Sequence, residues 1–87
     1  MPIPISSNED IAIGEYYEAC NFHPCLCTSQ GGDYSGNAIE GISLVDGSIL
    51  NCNVKHCGLR KLSIDEVIEW KMNGPKDANQ EIEPWWT

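Results

Sequence analysis

Residues 42–54 decide the fold and read Ile-Ser-Leu-Val-Asp-Gly-Ser-Ile-Leu-Asn-Cys-Asn-Val. Asp46-Gly47 stands between two runs in which apolar and polar residues alternate, a pattern typical of a β-hairpin. A three-residue loop, residues 45–47 with a left-handed glycine, sets Ile42 opposite Leu50. Since a slip of one residue moves every side chain to the other face, we expect this register rather than that of a two-residue loop. It gathers the apolar residues on one face: Ile42, Leu44, Leu50, Cys52 and Val54.

A helix is predicted after the hairpin, and a capping box marks its start. Ser63 stands three residues before Glu66, so each side chain can bond the backbone N–H of the other. Residues 73–75, Asn-Gly-Pro, supply a left-handed stop and a helix breaker. The sequence therefore predicts a helix over residues 64–72. One apolar stripe recurs along it at helical spacing: Ile64, Val67, Ile68 and Met72.

Two short strands and a loop are predicted before the hairpin. Residues 11–20 contain paired tyrosines, which favour a strand over a helix. Residues 23–28 carry a proline near their start, where a strand tolerates one. Residues 30–37 hold three glycines in eight positions and form a loop in which Tyr34 is the one bulky side chain. Tyr34 is thus either a contact residue or merely exposed to solvent.

Residues 13–18, Ile-Gly-Glu-Tyr-Tyr-Glu, and residues 23–27, His-Pro-Cys-Leu-Cys, resemble the first two strands of a barrel found in ribosome-associated factors. The pattern is similar to the N-terminal barrel of elongation factor P and its hypusine-bearing relatives, and it covers roughly residues 11–54. There a glycine starts the first strand, and a proline followed by an apolar residue starts the second. Those factors carry a modified basic residue in the loop after strand two, whereas residues 31–37 contain no lysine or arginine. The resemblance implies the fold and not the translation activity.

These elements predict a mainly β fold, a small half-open SH3-like β-barrel with one C-terminal α-helix. The chain length of 87 residues suits a single domain. Residues 1–10 contain two prolines and several polar residues and are interpreted as a flexible lead-in. Residues 11–74 form the domain, and residues 75–87 form a polar tail that ends in Pro-Trp-Trp-Thr.

Charge and cysteine content limit the classes of function. Thirteen acids against five bases give a formal net charge of −8, which repels phosphate backbones and anionic lipids. We therefore expect no direct nucleic-acid binding and no membrane association. The five cysteines are an odd number and no secretory segment precedes them, so we expect a reducing, cytoplasmic location.

The cysteines and histidines suggest a zinc site, but their spacing is unfavourable. Cys52 and His56 lie four residues apart, about 13 Å along one strand, too far to share an ion. A site could assemble across strands from Cys25, Cys27, His56 and Cys57, although the Cys-x-Cys spacing is not that of zinc ribbons. We prefer the interpretation of Cys25, Cys27 and Cys52 as small apolar core residues, without metal. No cofactor fingerprint or catalytic constellation is visible, so we expect neither a cofactor nor an enzyme.

Residues 55–61 hold three of the five bases and no acid: Lys55, Arg60 and Lys61. This segment either forms a docking patch for an acidic partner surface or is neutralised within the fold by Glu40 or Glu66. The tail presents the same choice. Trp85 and Trp86 either pack back beside Trp70 or dock onto a partner, because exposed indoles are unfavourable.

The sequence therefore predicts a small acidic protein-interaction module without catalytic activity, which binds a protein partner. Its candidate interaction residues are Tyr34, Lys55, Arg60, Lys61, Trp85 and Trp86. One alternative is an acidic inhibitor that mimics nucleic acid, since the net charge of −8 favours it. The other is a small structural zinc-binding domain.

Overall fold

A computed structural model describes residues 3–19, 22–30, 38–54, 58–75 and 85–86. Within these ranges the chain forms six strands and one α-helix: β1 (Ile3–Pro4), β2 (Tyr16–Glu18), β3 (Pro24–Ser29), β4 (Ala38–Ser43), β5 (Ile49–Asn53), β6 (Arg60–Leu62) and α1 (Ile64–Asn73). A short 3-10 helix (Asn8–Asp10) lies between β1 and β2. Among these residues no helix has the length and hydropathy that crossing a bilayer requires.

The strands form one antiparallel sheet in the order β1-β6-β2-β3-β4-β5. β6 thus returns along the chain to pair between β1 and β2. Within the described part of the chain, β1 and β5 are the edges, so the sheet is not closed. A mainly β fold with a C-terminal helix is confirmed. The half-open SH3-like barrel stays a prediction, which this open sheet neither confirms nor excludes.

Residues 3–10, expected as a flexible lead-in, contain two elements that the sequence analysis did not predict. β1 pairs antiparallel with β6, and Ser7 caps the 3-10 helix in a capping box completed by Asp10. Ile5 and Ile11, on either side of this helix, are both buried. The segment therefore contributes to the core.

The two faces of the sheet pack against different parts of the chain. On one face lies the larger core cluster: Ile5, Ile11, Tyr17, Ala19, Cys25, Cys27, Ile39, Cys52, Val54 and Leu59. On the other face α1 lies over β2, β3 and β6. There Val67 and Trp70 pack on Leu62, and the half-buried Tyr16 and Leu44 complete the smaller cluster.

The β4–β5 hairpin forms where predicted, but the predicted register is wrong. Ile42 pairs with Ile49 and not with Leu50. The turn spans residues 44–47 and is closed by the Ser43 N–H, which donates to the Ser48 carbonyl at 2.8 Å. Gly47 has the expected positive φ of 77°. Loop and register therefore differ by one residue from the prediction.

Tyr17 gives the physical reason for this register. Its hydroxyl lies 2.4 Å from the point that a Cβ on Gly41 would occupy, so the buried phenol needs glycine on its own side of β4. Ile39 and Ser43, two positions either side of Gly41, are then buried as well. Ile42 turns to the opposite, more exposed face, contrary to the predicted apolar grouping.

α1 confirms the predicted helix, within one residue at its C-terminus. The Ser63 Oγ accepts from the Glu66 N–H at 3.2 Å, and the Glu66 carboxylate accepts from the Ser63 N–H at 2.8 Å. At the other end Gly74 has a φ of 80°, and its N–H donates to the Trp70 carbonyl. Both the capping box and the glycine stop are therefore present.

The buried side of α1 is not the predicted stripe. Val67 is buried as expected, together with Trp70. The other three stripe residues, Ile64, Ile68 and Met72, are exposed. The reason is Trp70, whose large indole is buried against the sheet. The side of α1 that contacts the sheet is therefore the side that carries Trp70 and Val67.

Candidate functional site

Arg60, a candidate interaction residue, is paired inside the fold. Its Nε and Nη2 each lie 2.9 Å from an oxygen of Glu18, a bidentate arrangement. The Trp70 Nε1 donates to the same carboxylate at 2.5 Å, and Glu18 is only 2% exposed. Neutralisation within the fold is thus confirmed for Arg60. The sequence analysis named Glu40 and Glu66 and missed Glu18, which the register of β2 and β6 sets opposite Arg60.

Lys61 is paired at the surface of the protein. Its Nζ lies 2.8 Å from Glu15, and both side chains remain about a third exposed. The hydrogen bond from Lys61, together with one from the Ala12 N–H, holds the pKa of Glu15 below its usual range. The charges of the basic segment therefore meet acids of the same chain at both described positions.

Trp85 and Trp86 lie against the C-terminal end of α1, which confirms the predicted fold-back beside Trp70. The Trp85 Nε1 donates to the Trp70 carbonyl at 3.0 Å, and the Trp85 ring meets His23 edge-on with centroids 4.8 Å apart. Trp86 packs on Gly74, where a Cβ would lie 2.5 Å from the indole. Both indoles are half-buried.

Cys25, Cys27 and Cys52 are buried in the core cluster around Tyr17, as predicted. Burial raises the pKa of Cys25 to about 12 and raises that of Cys27 as well. Such thiols keep their protons at neutral pH, whereas a metal ligand or nucleophile must be a thiolate. Among the described residues no three His, Cys, Asp or Glu side chains are arranged to hold a metal ion.

The remaining candidates from the sequence lie outside the described residues: Tyr34, Lys55, His56 and Cys57. The cross-strand zinc site and the role of Tyr34 therefore stay predictions.

A single row of side chains crosses the sheet on the face that α1 covers in part. Cross-strand pairing aligns them in the order Leu62, Tyr16, Leu26, Ile42 and Ile49. Leu62 is buried beneath the helix, and Tyr16 and Leu26 are half-buried. Ile42 is 37% exposed and Ile49 is 64% exposed. Exposure therefore increases along the row away from the helix.

α1 presents a second apolar row to solvent. Ile64, Ile68 and Met72 are 66%, 56% and 63% exposed. The Lys71 Nζ donates to the Leu44 carbonyl in the β4–β5 turn, so the Lys71 side of the helix faces that hairpin. Ile68 and Ile64, three and seven residues earlier, lie on the same side. We call Ile42, Ile49, Ile64 and Ile68 together the open apolar surface.

Acidic side chains border the open apolar surface. Glu40 shares its sheet face with Ile42, two residues further along β4. Asp65 is exposed and follows Ile64 at the start of α1. Lys71 is bonded to a backbone carbonyl, and Arg60 and Lys61 are paired with acids. Two acids, Glu40 and Asp65, therefore border the surface, and Lys71 keeps its positive charge beside them.

Sequence reasoning missed the open apolar surface because it grouped Ile42 with the apolar face of the hairpin and Ile64 and Ile68 with the apolar stripe of the helix, and it gave Ile49 no role. One signal pointed to it. At about 100° per residue, the apolar residues of α1, from Trp70 round to Met72, span an arc of about 200°. The apolar stripe of a surface helix is typically about 100° wide, so part of this arc has no place on the sheet.

Comparisons of the chain with protein-family models, with curated proteins and with solved structures gave no match.

Proposed function

We propose that this chain is a small, non-catalytic protein-interaction module that binds a partner protein through the open apolar surface. The observation that carries the proposal is the exposure of four large apolar side chains, two on the sheet and two on the side of α1 from which Lys71 reaches the β4–β5 turn. Apolar residues scattered singly over a surface are ordinary. A contiguous apolar patch with a polar border is typical of an interaction site.

The chemistry of the partner follows from charge. The chain carries a net charge of −8, and acids border the open apolar surface. A partner with basic residues around an apolar centre gains favourable electrostatic steering and faster association. A second copy of this chain would also carry a net charge of −8, so the two copies would repel each other.

The alternatives receive less support from the described residues. A nucleic-acid mimic needs carboxylates that are available along one face. Many carboxylates here instead accept hydrogen bonds from the same chain: Asp10, Glu15, Glu18, Asp46 and Glu66. A zinc domain would have to recruit Cys25 and Cys27, whose thiols lie in the core.

The experiment compares two matched substitutions in the full chain, Ile68→Asp and Ile3→Asp. Both replace an isoleucine that is more than half exposed and add one negative charge. Ile3 lies on β1, at the edge of the sheet opposite β5. Proteins retained from the source cell by the immobilised wild-type chain are identified, purified and titrated against each variant.

We expect Ile68→Asp to weaken the complex more than about tenfold, as loss of a central apolar contact does. Ile3→Asp should change the affinity less than about twofold. Circular dichroism melts of both variants check that each remains folded. Equal effects of the two substitutions on every purified partner would overturn the proposal.

A further inference from the structure

We propose that the element of the partner bound by the open apolar surface is a basic amphipathic α-helix, which lies beside α1 and completes a second helical layer on the sheet. This inference rests on the proposed function. It specifies that the bound element of the partner is a helix, that the helix lies beside α1 and that it is basic.

The width of the uncovered sheet fits one helix. α1 lies over β6, β2 and β3, so the open part of that face consists of β4 and the edge strand β5. Each strand occupies about 4.8 Å of the width of a sheet, which makes these two strands about 10 Å wide. A helix with its side chains is about 10 Å across, and packed helices lie about 8–10 Å apart.

The open apolar surface has two parts that such a helix can contact, one on the sheet and one on α1. Ile42 and Ile49, which pair directly across β4 and β5, form the part on the sheet. Ile68 forms the part on α1, three residues before Lys71, whose Nζ reaches the β4–β5 turn. Ile64, four residues earlier, extends this part toward Gly14 and Tyr16 at the start of β2. A helix with apolar residues at spacings of three and four can contact the sheet part and the α1 part together.

Charge and sequence decide between the possible occupants. Glu40 and Asp65 border the surface, and the chain as a whole is strongly acidic, which favours a basic helix over a second copy. Residues 76–84 of the chain itself read Lys-Asp-Ala-Asn-Gln-Glu-Ile-Glu-Pro. They contain one large apolar residue and cannot supply an amphipathic stripe. An anionic membrane would be repelled by the same acids.

The test uses three synthetic peptides of about 14 residues, long enough for about four helical turns. The first places leucine at helical spacing and lysine elsewhere, the second replaces lysine by glutamate, and the third carries a central proline in the lysine sequence. Each is titrated into the full chain, with affinity, peptide helicity and isoleucine methyl shifts as readouts.

We expect the lysine peptide to become helical on binding and to shift the methyl signals of Ile42, Ile49, Ile64 and Ile68. The glutamate and proline peptides should bind at least about tenfold more weakly. Ile49→Asp and Ile68→Asp should each weaken the lysine peptide more than about tenfold, while Ile3→Asp should not. Because all three variants gain the same charge, loss of affinity at two of them cannot come from net charge.

Equal affinities of the lysine and proline peptides would overturn the proposal that the bound element is a helix. An affinity of the lysine peptide that Ile49→Asp does not change would overturn it as well. A wild-type dimer that Ile68→Asp dissociates would favour a second copy instead. These failures leave the proposed function standing if a cellular partner still depends on Ile68. The reverse outcome, peptide binding without any such partner, would count against the proposed function itself.

Discussion

At the scale of single residues, the contact between Tyr17 and Gly41 decides which side chains the sheet buries. Tyr17 is fully buried, and among the described residues its hydroxyl makes no geometrically satisfactory hydrogen bond. Burial raises the pKa of this phenol well above its ordinary value. A Cβ at Gly41 would lie 2.4 Å from the hydroxyl and 2.6 Å from the Leu26 carbonyl. Neither backbone nor packed ring can yield easily, so position 41 needs glycine.

Gly41→Ala should therefore lower the free energy of unfolding by about 1–3 kcal/mol, the usual cost of overpacking a core. Gly58→Ala is the matched control, because a Cβ there meets no atom within 4 Å. Urea denaturation of both variants provides the comparison. Coincident midpoints would show that Tyr17 does not constrain β4.

The ion pairs of Glu18 and Glu15 should differ in importance despite their similar distances. Glu18→Gln removes the buried carboxylate charge that pairs with Arg60 and weakens the acceptor for Trp70, so we expect a loss of at least about 2 kcal/mol in the free energy of unfolding. Glu15→Gln breaks a pair that solvent already screens and should have little effect. A chemical denaturation series of the two variants would contradict this ordering if Glu15→Gln were the more damaging.

At the scale of elements, the parts that sequence could predict are those with local causes. Capping box, glycine stop and turn glycine depend on residues within a few positions, and all three lie where predicted. Register and buried helix side depend on distant partners. The hairpin alternation could not include Tyr17, which lies 24 residues before Gly41. The helix stripe could not include the bond between Trp70 and Glu18, which are 52 residues apart.

The same limit applies to the candidate site. Apolar residues at helical spacing predicted a core stripe, and only a partner across the fold could reveal which of them the sheet leaves uncovered. β1 escaped prediction because a two-residue strand has no periodicity. Its existence depends on β6, a segment near the other end of the described chain.

The C-terminal tail should stabilise the end of α1. Trp85→Ala removes the bond to the Trp70 carbonyl and the edge contact with His23, and it should lower the melting temperature by several degrees. Met72→Ala, at an exposed position on the same helix end, serves as the control and should shift it much less. A differential scanning calorimetry trace of Trp85→Ala that overlays the wild type would contradict the fold-back.

At the scale of the whole molecule, Arg60 and Lys61 pair with acids of their own chain, and the chain is acidic overall around one apolar region. The net charge of −8 already includes both of these bases, so the chain keeps its excess of acids. The apolar residues of α1 also span a wider arc around the helix than the sheet covers. Both features are explained together if a basic, apolar segment of another protein completes the fold's second face.

The exposure of the open apolar surface in the free protein is the central claim, and solvent relaxation of isoleucine methyl groups measures it directly. An uncharged paramagnetic agent in solution broadens the NMR signals of exposed methyls and spares buried ones. We expect Ile49, Ile64 and Ile68 to broaden as strongly as Ile3, while Ile5, Ile11 and Ile39 stay sharp. Ile64 and Ile68 signals as protected as that of Ile39 would contradict the account, because the surface would then be covered within the protein itself.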